Sequence, residues 1–481
     1  LKVLLISQEE THPFYAGVHS YFTAPLLEPF PLALAKLSAP PLGITLLAAA
    51  LKARGISPQV FHNPFSSEEE RGRLLAALSA GPFAFCLSTT HLFRPELAAE
   101  IYALARRLAP EAHIIAGGPG AEWNGALRPS DGITVFGPAE AALPALLEAL
   151  AAGKDPETLP NLCVTRAGAH KETPRAAPPP AQDAPFPDWD VFPAVPSRVP
   201  VQGSRGCARR CGFCSYNSPY SERTPSTVLA EIRRNRDRWG IRRFRFTDSD
   251  LACGAQRALE LCRGLEADGG YGWTCFARAD SLLAAGVPEA MRRAGCMWVF
   301  LGIESGSAAI LERMGKGCGP QTMLAGIAAA KKAGLGVHGN FVVGYPGETK
   351  DTMEETYAFA AGSGLDTVYF SPFQIRSPGI PALAARDGGL AGDVSGWSHS
   401  TMSSSEMLEY TSALTERISA DPAAPLPTSE ALFSLFSEGT GAEFGANVKD
   451  FFGAIRDWNA GRRAGNEKLK ETARAKLATH L

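Results

Sequence analysis

Six strands alternate with helices between residues 200 and 371, and that regularity limits the fold more than any single residue does. Apolar runs at Arg242–Thr247, Trp273–Arg278, Met297–Gly302, Val337–Val343 and Thr367–Ser371 follow a short extended stretch before Gln202. Helical periodicity fills the gaps at Thr227–Trp239, Ala255–Asp268, Val287–Ala294, Gln321–Ala333 and Thr352–Ser363. Parallel strands joined by crossover helices predict a partial (β/α)6 barrel, with its chemistry at the C-terminal strand ends. Those ends carry Asp248, Arg278 with Asp280, Glu304-Ser305 and Gly344-Tyr345-Pro346.

In the loop after the first of these strands, Cys207, Cys211 and Cys214 stand in C-x3-C-x2-C spacing among glycines and arginines. Three thiolates are one ligand short of the four cysteines that iron–sulfur clusters otherwise take, so a four-iron cluster here would keep one iron open. The competing readings are a zinc knuckle or three incidental thiols. Zinc would require a fourth Cys or His at similar range, and none follows before Cys253. Cys86, Cys163, Cys253, Cys262, Cys275, Cys296 and Cys318 show no second cluster spacing, and Cys262 and Cys296 read as core.

The amino-terminal part has the same alternation. Strands are expected at Lys2–Ile6, Gln59–Phe61, Phe83–Leu87, His113–Ala116 and Thr134–Phe136, and helices at Leu42–Arg54, Arg71–Leu78, Glu96–Leu108 and Ala141–Ala151. This predicts a doubly wound parallel sheet over residues 1–150, binding its ligand beyond the carboxyl strand ends. There lie Ser88-Thr89-Thr90, Gly117-Gly118 and Gly137-Pro138-Ala139-Glu140. Small hydroxyls and glycines let a large flat or phosphorylated ligand approach the backbone, although any one of these glycines could serve only a turn.

Composition excludes several classes. With 481 residues, two or three domains are expected. A formal charge of -2 gives no basic field for nucleic acid, and no apolar run reaches the length of a membrane span. The start, Leu1 to Ser7, reads as a strand and not as a signal peptide. Ten cysteines without a small-secreted-domain pattern fit a reducing cytoplasm. Residues 151–199, with Ala176-Ala177-Pro178-Pro179-Pro180 and Pro185-Phe186-Pro187-Asp188-Trp189, read as a Pro-rich linker anchored by its aromatics. Residues 200–384 form the barrel. Residues 385–481 read as a loop around Asp387–Trp397 and then a small, mainly helical region with helices at Ser405–Ala420, Ser429–Ser437 and Ala446–Gly461. Trp397, Tyr410 and Phe433 are pocket candidates there. No repeat or coiled-coil pattern speaks to assembly, so a monomer is expected.

Cys207-x3-Cys211-x-Phe213-Cys214, with Gly302-Ile303-Glu304-Ser305-Gly306-Ser307, Met314-Gly315-Lys316-Gly317 and Gly339–Thr349, resembles the radical-SAM superfamily. Pro40-Pro41-Leu42-Gly43-Ile44, Ser88-Thr89-Thr90, Gly117-Gly118 and Gly137-x-x-Glu140 resemble the Rossmann-like cobalamin-binding domain of its class B enzymes. Two positions depart from that pattern, His62-Asn63 and Pro138, and the D-x-H-x-x-G loop that supplies a cobalt-ligating histidine elsewhere is missing; His12 is the nearest approach. The resemblance implies an α/β protein binding a [4Fe-4S] cluster through Cys207, Cys211 and Cys214. It implies SAM held by Phe213, Arg278, Glu304 or Ser305 and Gly344-Tyr345-Pro346, and cobalamin (as methylcobalamin) on Ser88, Thr89, Thr90, Gly117, Gly118 and Gly137, without a protein histidine on cobalt. A salt bridge across the barrel mouth is the alternative for Glu304, and an ion pair with Asp248 or Asp280 the alternative for Arg278. No catalytic side-chain base is implied.

The activity implied is C-methylation. An electron from a donor such as flavodoxin or ferredoxin cleaves SAM, the 5'-deoxyadenosyl radical takes hydrogen from an unactivated carbon of a small-molecule or peptide substrate, and methylcobalamin supplies the methyl group. A cyclisation, rearrangement or oxidation without methyl transfer is the second expectation, and a non-catalytic cofactor-binding sensor the third.

Overall fold

A computed structural model describes residues 1–10, 41–216, 218–428 and 441–480. His12, Phe433 and the helix expected at Ser429–Ser437 lie outside them. The chain divides into two compact units, and the described residues up to Pro196 fall in the first and those from Ser197 in the second.

In the first unit the strands β1 (Val3–Ser7), β2 (Gln59–His62), β3 (Ala84–Ser88), β4 (His113–Gly117) and β5 (Gly132–Val135) pair in parallel in the order β2-β1-β3-β4-β5. The helices α1 (Leu42–Lys52), α2 (Glu68–Ser79), α3 (Pro95–Leu108), α4 (Pro119–Trp123) and α5 (Ala142–Ala151) connect them. Alternate strand residues face opposite ways. Leu4, Ile6, Phe85 and Leu87 therefore pack on Leu74, Leu78 and Ile101 from α2 and α3, while Val3, Leu5 and Ile115 pack on Ile44, Leu51, Leu143 and Leu147 from α1 and α5. Both faces are covered, as the near-continuous apolar strands require.

The linker reading of 151–199 needs correction. β6 (Leu162–Arg166) and β7 (Ala169–Glu172) form an antiparallel hairpin that extends this sheet beyond β5. The buried run Leu162-Cys163-Val164-Thr165, two of its residues β-branched, is what makes β6 a strand. The extended connector begins only after Glu172. Its Trp189 is fully buried, and Asp188 pairs with Lys52 at 2.5 Å, so the connector is fastened to the first unit.

In the second unit β8 (Arg198–Val201) opens the barrel, and a two-rung ribbon, β9 (Ser204–Arg205) with β10 (Ser221–Glu222), follows. The remaining barrel strands are β11 (Arg243–Phe246), β12 (Gly272–Ala277), β13 (Cys296–Glu304), β14 (Gly336–Val343) and β15 (Thr367–Pro372). All are parallel neighbours in sequence order, which is the partial barrel expected. Its helices are α6 (Pro225–Trp239), α7 (Ala255–Asp268), α8 (Val287–Arg293), α9 (Ala308–Arg313), α10 (Pro320–Lys332) and α11 (Lys350–Gly362).

After α12 (Pro381–Ala384) the chain differs from the loop expected around 387–397. β16 (Ala391–Asp393), β17 (Gly396–His399) and β18 (Met402–Ser403) make a small antiparallel sheet. It leads into α13 (Ser404–Ala420), whose start is fixed by a capping box between Ser403 and Glu406. β19 (Leu426–Pro427) then adds a seventh strand beside β15. Finally α14 (Gly441–Ala464) and α15 (Glu467–Ala478) close the unit, with Phe444, Val448, Phe451 and Ile455 of α14 packed in one cluster with Trp298 and Phe300 of the barrel.

Candidate active site at the barrel rim

The three cysteines lie in a closed loop at the C-terminal rim. The β9–β10 ribbon pinches the loop at its neck, and Asp248 at the end of β11 anchors that neck by accepting from the Gly203 amide and the Ser204 hydroxyl, each at 2.8 Å. Gly206 has φ +70, and a Cβ there would run into the backbone of Ser218 and Pro219. Its amide donates to the Tyr216 hydroxyl at 3.2 Å, and its carbonyl accepts from Ser249 at 3.1 Å. Deeper in, the Gly212 amide donates to the Met314 carbonyl (2.8 Å), and the Gly212 carbonyl accepts from the Ala382 amide (3.0 Å).

Cys211 is buried, and Cys207 and Cys214 are half-buried. Burial pushes the Cys211 thiol up, opposed by Lys316, and pushes Cys214 up to about 11. Backbone amides of Arg209 and Tyr216 point at the sulfurs of Cys207 (3.4 Å) and Cys214 (3.3 Å). Amides and cations around desolvated thiols are the surroundings a thiolate-held anionic cluster requires, with metal binding releasing the protons. The donor set fits a cluster. Among the described residues no three His, Cys, Asp or Glu side chains converge as ligands of a single ion.

Glu304 has the most unusual backbone here. Its φ is +69, and the Ser305 amide donates to the Ile303 carbonyl at 2.9 Å, a γ-turn of the strained kind. The β13–β14 register also slips between Gly302 and Glu304. Such a bulge re-aims a side chain. The carboxylate pairs with Lys316 at 2.9 Å with both side chains largely buried, so the barrel-mouth salt bridge weighed for Glu304 is present. Gly302 leaves room for the pair: a Cβ there would press on both of its ends.

Arg278 forks onto Asp280 at 2.8 and 3.0 Å and donates to the Lys316 carbonyl at 2.7 Å. Its alternative ion pair is therefore formed, and Arg278 steadies the segment bearing Lys316. Ser305 is fully buried, with its hydroxyl 3.0 Å from Thr356 on α11 and accepting from the Ser307 amide at 3.1 Å. That engages it in bracing. Phe213 is half-buried beside Cys214.

The loop after β14 supports the cysteine loop. Tyr345 is buried, and its hydroxyl lies where a side chain on Gly212 would be. Gly344 (φ +91) packs against Met407 and Trp397, donates its amide to Glu348 and accepts from His399 at 3.1 Å. Pro346 follows, also buried. Trp397 is itself buried, its indole donating to the Phe373 carbonyl at 3.1 Å, so it packs the rim, while Tyr410 is half-buried.

Glu348 is fully buried, and burial raises its carboxyl to about 7 against the pull of the Gly344 and Tyr345 amides. Between pH 4.5 and 7 the folded protein keeps this proton and the unfolded chain has lost it, so stability falls as pH rises through that window and is flat above it. The shift corresponds to about 3 kcal/mol. Urea unfolding from pH 5 to 8 should show this decline, and Glu348→Gln should flatten it; an unchanged slope in the variant would remove Glu348 as its source.

In the first unit the strand order reverses between β1 and β3, the switch point where such sheets take ligands. Ser88 and Thr90 present hydroxyls 3.1 Å apart at the end of β3. Thr89 is buried instead and ties β3 to the next loop, donating to the Gly117 carbonyl and accepting from the Ala121 amide, each at 2.8 Å. Gly118, at φ +97, passes so close that a Cβ would lie 2.9 Å from the Thr90 hydroxyl. Gly137, at φ +68, donates to Glu122 at 3.1 Å. Ser88, Thr90, Gly117, Gly118 and Gly137 thus line the carboxyl edge, with Thr89 beneath them.

Residues 201–360 match the Radical SAM superfamily. Over 292 residues the chain is 29% identical to an uncharacterized methyltransferase of Pyrococcus horikoshii, covering 57% of this chain and 62% of that one. The chain thus spans under two thirds of that relative's length. Among solved structures it resembles the radical S-adenosylmethionine methyltransferase TsrM of Kitasatospora setae, with cobalamin and a [4Fe-4S] cluster bound, at TM-score 0.62, 15% identity and 99% coverage of both chains. It also resembles the cobalamin-dependent radical enzyme OxsB, with cobalamin and S-adenosylmethionine bound, at TM-score 0.60 and 18% identity, covering 75% of this chain and 52% of that one. Among the described residues no helix is long and apolar enough to cross a membrane.

Proposed function

We propose that the protein is a cobalamin-dependent radical-SAM C-methyltransferase acting on a small-molecule or peptide substrate. The observation that carries this is the pinned cysteine loop on the barrel rim, with Lys316 and Arg278 beside its thiols. Cys207, Cys211 and Cys214 hold the cluster. Glu304 and Lys316, a buried pair of opposite charge, complement the ammonium and carboxylate of SAM's amino-acid end. Arg278, engaged by Asp280, positions Lys316 rather than binding the carboxylate itself. Phe213 and the Gly344-Tyr345-Pro346 turn flank the adenine, with Ser305 holding the turn at Glu304 in place. Ser88, Thr90, Gly117, Gly118 and Gly137 hold cobalamin, braced by Thr89, and residues 385–481 shape the substrate pocket. The bound cofactors supply homolytic cleavage and a transferable methyl group, while the chain orients reactants and excludes water. A reducing cytoplasm, a monomeric chain and a flavodoxin- or ferredoxin-type donor accord with this reading.

Reconstituted protein given methyl-labelled SAM and a reductant should release 5'-deoxyadenosine and move label into product. Turnover to an unlabelled product would replace methyl transfer with cyclisation, rearrangement or oxidation. Absence of both 5'-deoxyadenosine and label with every substrate tried would leave a cofactor-binding sensor.

A further inference from the structure

We propose that the apex of the cysteine loop, Ala208-Arg209-Arg210, is the docking surface for a small acidic one-electron carrier protein; this rests on the function proposed above. All three residues are exposed, although they lie between two candidate ligands, one of them buried. Arg210 has no ion-pair partner among the described residues. Arg209 reaches Asp280 only at 3.8 Å, and that carboxylate is already held in a fork by Arg278. The apex therefore carries uncompensated positive charge on a chain whose formal net charge is -2.

Two arginines are too few for a nucleic-acid track. They suit a compact acidic rim, where complementary charge speeds encounter and fixes orientation. Arg210 is covalently next to Cys211, so a carrier seated on the apex lies one residue from the buried end of the thiol set. The loop can take such a partner without rearranging, because Gly212 is tied on both sides, to Met314 and to Ala382. The exchange is simple in its balance: the carrier's reduced group loses one electron and the cluster gains it, with no bond made or broken.

The test uses reconstituted holoprotein, the unaltered chain beside Arg210→Glu and the Arg209→Gln/Arg210→Gln double variant. Binding of oxidised flavodoxin is followed by its flavin fluorescence at low and high salt, and cluster reduction is followed with reduced flavodoxin and with dithionite. The variants should bind flavodoxin roughly tenfold more weakly with a shallower salt dependence, while dithionite still reduces the cluster and drives SAM cleavage at the unaltered rate. Unchanged flavodoxin binding would overturn the proposal, as would an equal loss with dithionite. If dithionite drives no SAM cleavage even in the unaltered protein, the functional reading fails, and the flavodoxin titration still decides the docking surface.

Discussion

Gly212→Ala will cost the protein most of its iron–sulfur cluster while leaving both units folded. The methyl group would enter the space of the Tyr345 hydroxyl. That ring cannot swing clear, because it is 1% exposed, sits edge-on to Phe373 at 5.5 Å, and its hydroxyl donates to the Arg313 carbonyl at 3.4 Å. Nor can Gly212 retreat, with its amide on Met314 and its carbonyl on Ala382. Overpacking of this kind costs about 1–3 kcal/mol. Placed on the cysteine loop proposed to hold the cluster, it corresponds to a loss of about five- to a hundredfold in cluster retention. The measurement is iron and sulfide content with visible absorbance after anaerobic reconstitution. Tyr345→Phe should restore retention in the double variant, since the new methyl then faces ring carbon at 3.2 Å. Gly319→Ala, with nothing within 4 Å, is the matched control and should behave as the unaltered protein. Full cluster content in Gly212→Ala would show that the brace is not needed.

How legible the protein is from its residues depends on how far each feature reaches along the chain. The barrel strands are long apolar runs between helices of regular period, so the expected Val337–Val343 is found as Gly336–Val343 and the expected Thr367–Ser371 as Thr367–Pro372. The cysteines are equally plain, because their spacing is local. The Leu162–Glu172 hairpin was hidden by the proline-rich stretch after it, and β16, β18 and β19 are two or three residues long, too short for any period to register. The Arg278–Asp280 pair could be weighed because the residues are two apart. Lys316 stands in Met314-Gly315-Lys316-Gly317, where no neighbouring residue hints at a partner. Its partner lies twelve positions earlier and is turned toward it only by the bulge and positive φ at Glu304, which no pattern of residue types announces. Glu348 is similar: a carboxylate in a Gly-Tyr-Pro-Gly-Glu turn reads as surface, and only the folded chain shows it fully buried on the Gly344 amide.

The pairing at the rim sets up the other large effect. Lys316→Ala will destabilise the second unit by about 3–5 kcal/mol, because it leaves the Glu304 carboxylate buried without its cation. Replacing both charges removes that penalty, so Glu304→Gln/Lys316→Met should recover most of the stability. Glu304→Gly/Lys316→Met should do at least as well, since glycine adopts φ +69 freely and a non-glycine residue held there costs about 1–3 kcal/mol. The expected result is a split: urea midpoints of both double variants near that of the unaltered protein, and SAM binding by equilibrium dialysis lost in both. A merely structural ion pair would give the opposite split, with SAM retained wherever stability is retained. If Lys316→Ala alone unfolds no more easily than the unaltered chain, the carboxylate has found water or another partner, and the rim is less dry than its burial indicates. The strain at Glu304 is then the deciding comparison: a backbone held in this turn for binding should cost stability, and the glycine variant measures that cost apart from the charge.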